Sequence, residues 1–174
     1  MILTGERILL RPGADDDIER LASIRREPAV AERWGAFAEH EIREHFVAND
    51  NAFVIEVDGE VIGAIQYHEE DDPMYRHAGI DIFLATAHHR LGYGTEAITT
   101  LARYLFETRG HHRLSIDPAA DNRAAIAAYE RVGFRGVGIM RAYERGPDGT
   151  WHDGLLMDLL AGDLADPGAR AGST

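Results

Sequence analysis

Cysteine is absent from the 174-residue chain, and so is lysine: all 18 basic residues are arginine. Without a thiol there is no disulfide, thiolate nucleophile, zinc ribbon or protein-bound thioester intermediate. Without lysine there is no Schiff-base chemistry and no phosphate-loop lysine. No apolar run approaches the roughly 18–20 residues of a membrane span. The first residues carry no signal-peptide pattern, so the expectation is a cytoplasmic protein with no membrane partner. Positive charge is scarce as well. A net charge of −12 argues against a nucleic-acid partner, which wants a basic face. It suits either steering of a cationic substrate into an acidic cleft or simple solubility.

Hydrophobic residues make up 45% of the chain, enough at this length for one domain with its own core. No repeat or Pro/Gly/Ser-rich linker divides it. Residues 1–160 are expected to form a single domain, and 161–174 a flexible tail, frayed or ordered by a second copy in a homodimer. Glu6–Arg11 reads as a strand, and the acids Asp15–Asp17 open a helix with the stripe Ile18, Leu21, Ala22 and Ile24. Glu39–Val47 is a second helix. Ala52–Val57 and Val61–Tyr67 are strands joined by the hairpin signal Asp58-Gly59. Ala78–Ala85 is an apolar strand, Gly94–Thr108 an amphipathic helix, His112–Asp117 a strand and Asn122–Val132 a helix closed by Gly133. Phe134–Tyr143 and Trp151–Leu159 form a last hairpin. The order predicts an α/β domain with a mixed sheet.

The most informative segment is His88-His89-Arg90-Leu91-Gly92-Tyr93-Gly94-Thr95-Glu96-Ala97, between a strand and a helix. Such a loop aims backbone N–H groups and a helix dipole at one point, and its glycines let an anion approach the amides. A diphosphate is the natural ligand. One reading is a dinucleotide site, because Gly92, Gly94 and Ala97 fit G-x-G-x-x-A and Asp117 ends the next strand. Against it stand the long link from strand to first glycine, the short remaining chain and the antiparallel look of the preceding strands.

The other reading is coenzyme A. His89-Arg90-Leu91-Gly92-Tyr93-Gly94 resembles the Arg/Gln-x-x-Gly-x-Gly/Ala loop of the GNAT superfamily of acyl-CoA-dependent N-acyltransferases, with His89 in place of Arg or Gln. Asp121-Asn122-Arg123-Ala124-Ala125-Ile126 and Tyr129-Glu130-Arg131-Val132-Gly133-Phe134 resemble that family's second block. The resemblance implies a GNAT fold, a mostly antiparallel sheet splayed at the acetyl-CoA site and flanked by helices. It also implies acetyl-CoA as co-substrate, held by His89, Arg90, Leu91, Gly92, Tyr93, Gly94, Thr95, Asn122 and Ala125. An oxyanion-binding N–H is implied near Phe83 or Leu84. Within the family, Glu32–Gly35, Asp58–Gly63, Gly79–Ala85 and Asp117-Pro118 resemble aminoglycoside 6′-N-acetyltransferases. The segments Arg141–Tyr143, Asp148–Asp153 and Leu155–Leu160 resemble acetyltransferases of ribosomal-protein N-termini equally well.

Acetyl transfer to an amine needs a base, a stabilised oxyanion and an acid for the thiolate. By resemblance Tyr129 is the candidate acid; otherwise it is a helix aromatic packed on the sheet. Asp81, an acid in the apolar run Ile80–Leu84, is the candidate base or a substrate ligand, the alternative being an acid on a solvent face. A polycationic amine wants carboxylates and an aromatic wall. Asp117 is its candidate acid by resemblance, Trp34 and Tyr67 candidate walls, Glu69 (heading an acidic run to Asp72) a candidate for the cleft mouth, and Asp153 a weaker acid. No metal is expected: His40 and His45 lie about 140° apart around a helix, and the pairs His88-His89 and His111-His112 point apart. The expected activity is acetylation of a polycationic small molecule, most simply an aminoglycoside. A protein N-terminus is the alternative acceptor, and an acyl-CoA sensor the non-enzymatic alternative.

Overall fold

Two reversals organise the N-terminal third. In the computed structural model, which describes residues 1–35 and 37–165, the expected first strand is split. Leu3–Thr4 (β1) turns back through Gly5, whose N–H donates to Ile8 O at 3.0 Å, into Leu9–Arg11 (β2). Helix α1 (Ile18–Arg26) follows the acids as expected. A helix absent from the sequence reading, α2 (Pro28–Trp34), comes next, with proline at its first turn and Val30 as its one buried residue. So short an element carries almost no periodic signal. Glu39–Val47 holds as a short α3 (Glu39–Ile42) that widens into a π-turn, Ala48 N–H donating to Arg43 O.

The remaining elements are β3 (Ala52–Val57), β4 (Glu60–Glu70), β5 (His77–Leu84), α4 (Tyr93–Glu107), β6 (Arg113–Ile116), α5 (Arg123–Val132), β7 (Arg135–Arg145) and β8 (Trp151–Leu160). All eight strands share one sheet in the order β1-β2-β3-β4-β5-β6-β8-β7. Among the described residues only β5 and β6 pair in parallel, bridged by α4; the pairs on either side are antiparallel. The dinucleotide reading fails here, because β6 is followed by antiparallel β8 rather than by further parallel units.

Alternation along the strands feeds two cores. Ile55, Ile65, Tyr67 and Ile80 pack under α4 residues Ile98, Leu101 and Leu105 on one face. Val54, Ala64 and Phe83 pack under Leu21 and Ile24 of α1, Ile42 of α3 and Phe46 of the π-turn on the other. Each fully buried Leu or Ile contributes about 1.5–3 kcal/mol by removal from water. Arg25 is wholly buried among Trp34, Phe37 and Phe83, its guanidinium 3.8 Å from the Phe37 ring centre. It donates to Trp34 O and Gly35 O, tying α1 to the end of α2. Burial lowers its pKa to about 10.

The feature that positions the site is a short pairing. β5 and β6 meet only at Ala78↔Leu114 and Gly79↔Ser115. Beyond that point β5 stays on β4 as far as Leu84, while β6 follows β8. A wedge opens between them. Of the segment expected as a tail, Ala161–Asp163 form a 3₁₀ turn, Arg135 pairs with Asp163, and Ala165 N–H donates to Val132 O at 2.8 Å. Residues 166–174 lie outside the described residues.

Candidate active site

The wedge leaves one edge of β5 unpaired. Ala85 N–H donates to Ile62 O on β4 at 2.8 Å, and peptide groups alternate sides along a strand. Phe83 therefore turns its N–H to β4, and its ring is buried among α1–α3. The N–H groups of Ile82 and Leu84 face the opening. Of the two oxyanion candidates, Leu84 offers the donor and Phe83 does not.

At the mouth of the wedge, His89 Nε2 donates to Leu84 O at 2.9 Å, folding the loop back on the strand. Arg90 (φ 61°) and Gly92 (φ 88°) both take left-handed backbone, which turns the chain into α4. No side chain caps α4, so its first N–H groups, at Tyr93, Gly94 and Thr95, point outward without a capping acceptor. A Cβ on Gly94 would lie 3.2 Å from Leu84 Cδ1, and one on Gly92 3.1 Å from Arg7 Nη2. The loop is a bare, closely approachable row of amides, which suits a diphosphate. Arg7, unnoticed in the sequence, braces it. Its side chain donates to Leu91 O and Glu96, and its guanidinium lies 4.7 Å from the Tyr93 ring centre.

Tyr129, on α5, packs its ring near Phe134, with centres 6.3 Å apart. Burial pushes its hydroxyl pKa up, and the charges of Asp81 and Asp117 push it further. It is therefore a firmly protonated phenol beside two acids. Asp81 is 24% exposed at its side chain and accepts from Gln66 Nε2 at 3.2 Å, with His68 Nδ1 at 3.6 Å. Burial raises its pKa; His68 and Gln66 oppose the rise, and Asp117 adds to it. Such a carboxyl takes a proton more readily than an ordinary aspartate.

A third acid enters from β7. Between Met140 and Glu144 the β7–β8 register slips, and Ala142 sits at φ 47° with its N–H on Asp153 Oδ1 at 2.8 Å. This bulge re-aims the next two side chains. Tyr143 donates to Asp117 Oδ2 at 2.5 Å, and its own pKa rises to about 12, first through that bond. A Cβ on Gly154 would lie 2.9 Å from the Tyr143 ring, so that glycine makes the room. Burial raises the Glu144 pKa, with Asp117 and Asp81 adding to it. Asp117 and Tyr143 line a cleft of about 370 Å³ with His68, Gly79 and Ser115. Glu144, the residue after Tyr143, lines a neighbouring cavity with Asp121, Arg33 and His152, and the positive charges of the last two oppose the rise in its pKa. Asp81 and Asp117, each beside the other's charge, favour a cation between them.

The other expected residues divide. Trp34 is half-buried against Phe83, with ring centres 6.0 Å apart, on the same face of β5 as Asp81. Tyr67 is 5% exposed, under α4 with its ring 6.3 Å from Tyr104. It belongs to the core and is no wall of the cleft. Glu69 reaches the cleft, yet its charge is spent on Arg109 and buried His111, at 2.7 and 2.6 Å. Arg109 first, then His111, holds its pKa low. Asp153 anchors the bulge through the Ala142 N–H. Asn122 accepts from Ala125 N–H at 3.2 Å and caps α5, which sets Tyr129 two turns on.

The Acetyltransferase (GNAT) domain model matches residues 7–135, from the brace at Arg7 through the amide loop and α5. The chain belongs to the GNAT acetyltransferase family. Its mixed sheet with flanking helices is the GNAT fold, and the protein is an acyltransferase of the N-acetyltransferase kind. An N-alpha-acetyltransferase of Sulfurisphaera tokodaii is 27% identical over 150 residues, 80% of this chain and 87% of the relative. RimJ of Mycobacterium smegmatis, solved with a CoA-disulfide, superposes with a TM-score of 0.81 at 23% identity, covering 95% of this chain and 90% of that one. The aminoglycoside acetyltransferase AAC(6')-Ib, solved with coenzyme A, gives a TM-score of 0.72 at 24% identity, covering 90% and 96%. At such identities the GNAT structures speak for the fold. No helix among the described residues is long and apolar enough to cross a membrane.

Proposed function

We propose that this GNAT enzyme acetylates a primary amine of a polycationic small molecule, most simply the 6′-amine of an aminoglycoside, by direct transfer in a ternary complex. The observation that carries the reading is the set of acids around the wedge: Asp81 on β5, its pKa raised by burial and by Asp117, Asp117 in the cleft, and Glu144 in the neighbouring cavity, its pKa raised first by burial. Acetyl-CoA supplies the acetyl group as a thioester. The amides from Leu91 to Thr95 suit its diphosphate, with His89, Arg90 and Arg7 shaping their loop.

In this reading Asp117 and Glu144 hold ammonium groups, and Trp34 forms part of the wall. Asp81 takes the proton of the reacting ammonium. Leu84 N–H stands where negative charge develops on the carbonyl oxygen. Tyr129 gives its proton to the departing sulfur. Burial is the main reason the phenol's pKa stands high, and cations placed against Asp81 and Asp117 would remove the smaller part that their charges add, making Tyr129 a somewhat stronger acid when substrate is bound.

Acylating the amine removes a positive charge from the drug, so the activity would confer antibiotic resistance. We place the enzyme in the cytoplasm and assign it to a homodimer. The edge strand β7 is exposed along most of its length, Val137 and Ile139 by more than half, which supports pairing through it.

A second reading, acetylation of a protein N-terminus, is favoured by the 27% identical N-alpha-acetyltransferase. Release of CoA thiol from acetyl-CoA, measured against aminoglycosides, polyamines and basic-start peptides, separates the two. Turnover confined to peptides rejects the first.

A further inference from the structure

β4 and β5 place Gln66 opposite Asp81 and His68 opposite Gly79. Residues two apart on a strand share a face, so His68 and Asp81 lie diagonally on the same one. Gly79 leaves a gap between them. A Cβ there would lie 2.9 Å from His68 Cδ2 and 3.0 Å from Nε2, with Ser115 Oγ at 3.6 Å beyond. The imidazole therefore lies across the bare β5 backbone and brings Nδ1 to 3.6 Å from Asp81 Oδ2. That gap is closed by a small ring rotation or one bridging water. The His68 side chain is 65% exposed, whereas Asp81 is 24% exposed.

We propose that His68 is the proton outlet of the site, relaying the proton that Asp81 takes from the acceptor ammonium to solvent. This rests on the reading above in which Asp81 is the base. Two protons leave the nitrogen in each turnover. The first, from the ammonium, passes to an Asp81 oxygen and then to His68 Nδ1, while Nε2 releases a proton to water. The second leaves when the C–N bond has formed and the C–S bond breaks; it restores Tyr129, whose own proton has gone to the sulfur. The products are the amide, the CoA thiol and one proton in solution.

Neighbouring groups do not serve as the outlet. His77 turns Nδ1 to Tyr75 O at 2.8 Å, Tyr143 donates to Asp117, and Glu69 is held by Arg109 and His111. Glu70, the remaining acid on the cleft side of β4, lies two residues further along from Asp81's cross-strand partner than His68 does.

Steady-state kinetics of His68→Gln across pH, with the best acceptor of the thiol-release panel, test the relay. The expected result is a kcat about tenfold lower near pH 7, a modest share of the usual acid–base contribution. Both KM values stay unchanged, the deficit shrinks as pH rises, and added imidazole restores turnover. Gly79→Ala, which pushes the ring aside, should lower kcat alone and add nothing to His68→Gln. Wild-type turnover in His68→Gln, a deficit that imidazole leaves untouched, or additive losses in the double variant overturn the relay. Asp81→Asn separates the two claims. Loss of turnover there beside an intact His68→Gln rejects the relay alone, whereas wild-type turnover in Asp81→Asn rejects the base and the relay with it.

Discussion

Asp153 accepts the N–H of Ala142 at 2.8 Å and so holds a non-glycine residue at φ 47°. Left-handed backbone at alanine costs on the order of 1–3 kcal/mol and persists only where surroundings impose it. Asp153→Ala removes the restraint. The expected outcome is a higher acceptor KM with the acetyl-CoA KM unchanged, because Tyr143 and Glu144 lose their aim. The lost hydrogen bond costs about 1 kcal/mol of stability. Unchanged acceptor kinetics would show that the bulge is not what aims them.

Tyr129→Phe keeps the ring packed beside Phe134 and deletes only the hydroxyl. Turnover should fall about a hundredfold, within the usual range for a positioned acid. Affinity for acetyl-CoA and the melting temperature should hardly move. Equal kcat in variant and wild type removes Tyr129 from the acid role.

Asp81 makes function and stability oppose each other. Its pKa is raised in the folded state, so between the ordinary carboxylate value near 3.9 and the raised one the native protein binds more protons than the unfolded chain. Stability therefore falls as pH rises through that window, and the full cost is present above it. Asp81→Asn carries no such cost. It should melt higher than wild type at pH 7–8, lose that advantage as pH falls below the window, and turn over poorly throughout. A variant less stable at pH 8 than wild type contradicts the burial account.

Gly92→Ala asks alanine to hold φ 88°, at roughly 1–2 kcal/mol, and sets its Cβ 3.1 Å from Arg7 Nη2. Calorimetry with CoA should show affinity weakened at least tenfold, beyond what the modest fall in melting temperature explains. Undiminished affinity places the diphosphate elsewhere.

Local pattern carried the sequence reading a long way. The amide loop, the capped α5 and the strand holding Asp81 are each contiguous, and each was legible from spacing alone or from family likeness. What escaped was assembled across the sheet. Tyr143 reaches Asp117 only because an anchored slip in β7 rotates it, and His68 reaches Asp81 only across Gly79; neither relation has a signature along the chain. Tyr67 was readable and misassigned: it shares a face with core residue Ile65 by alternation, which points it to α4, and the same alternation gives Glu69, at the cleft, its partners Arg109 and His111. Helix α2 left too short a trace to register.

The central claim is that the loop from Leu91 to Thr95 grips the diphosphate of acetyl-CoA and sets its thioester in the wedge beside Tyr129. A crystal structure of the protein grown with CoA tests it most directly. The diphosphate should lie on those amides, with the sulfur within hydrogen-bonding reach of the Tyr129 hydroxyl. A CoA bound elsewhere, or a loop that takes a nicotinamide dinucleotide and refuses CoA, would contradict the account.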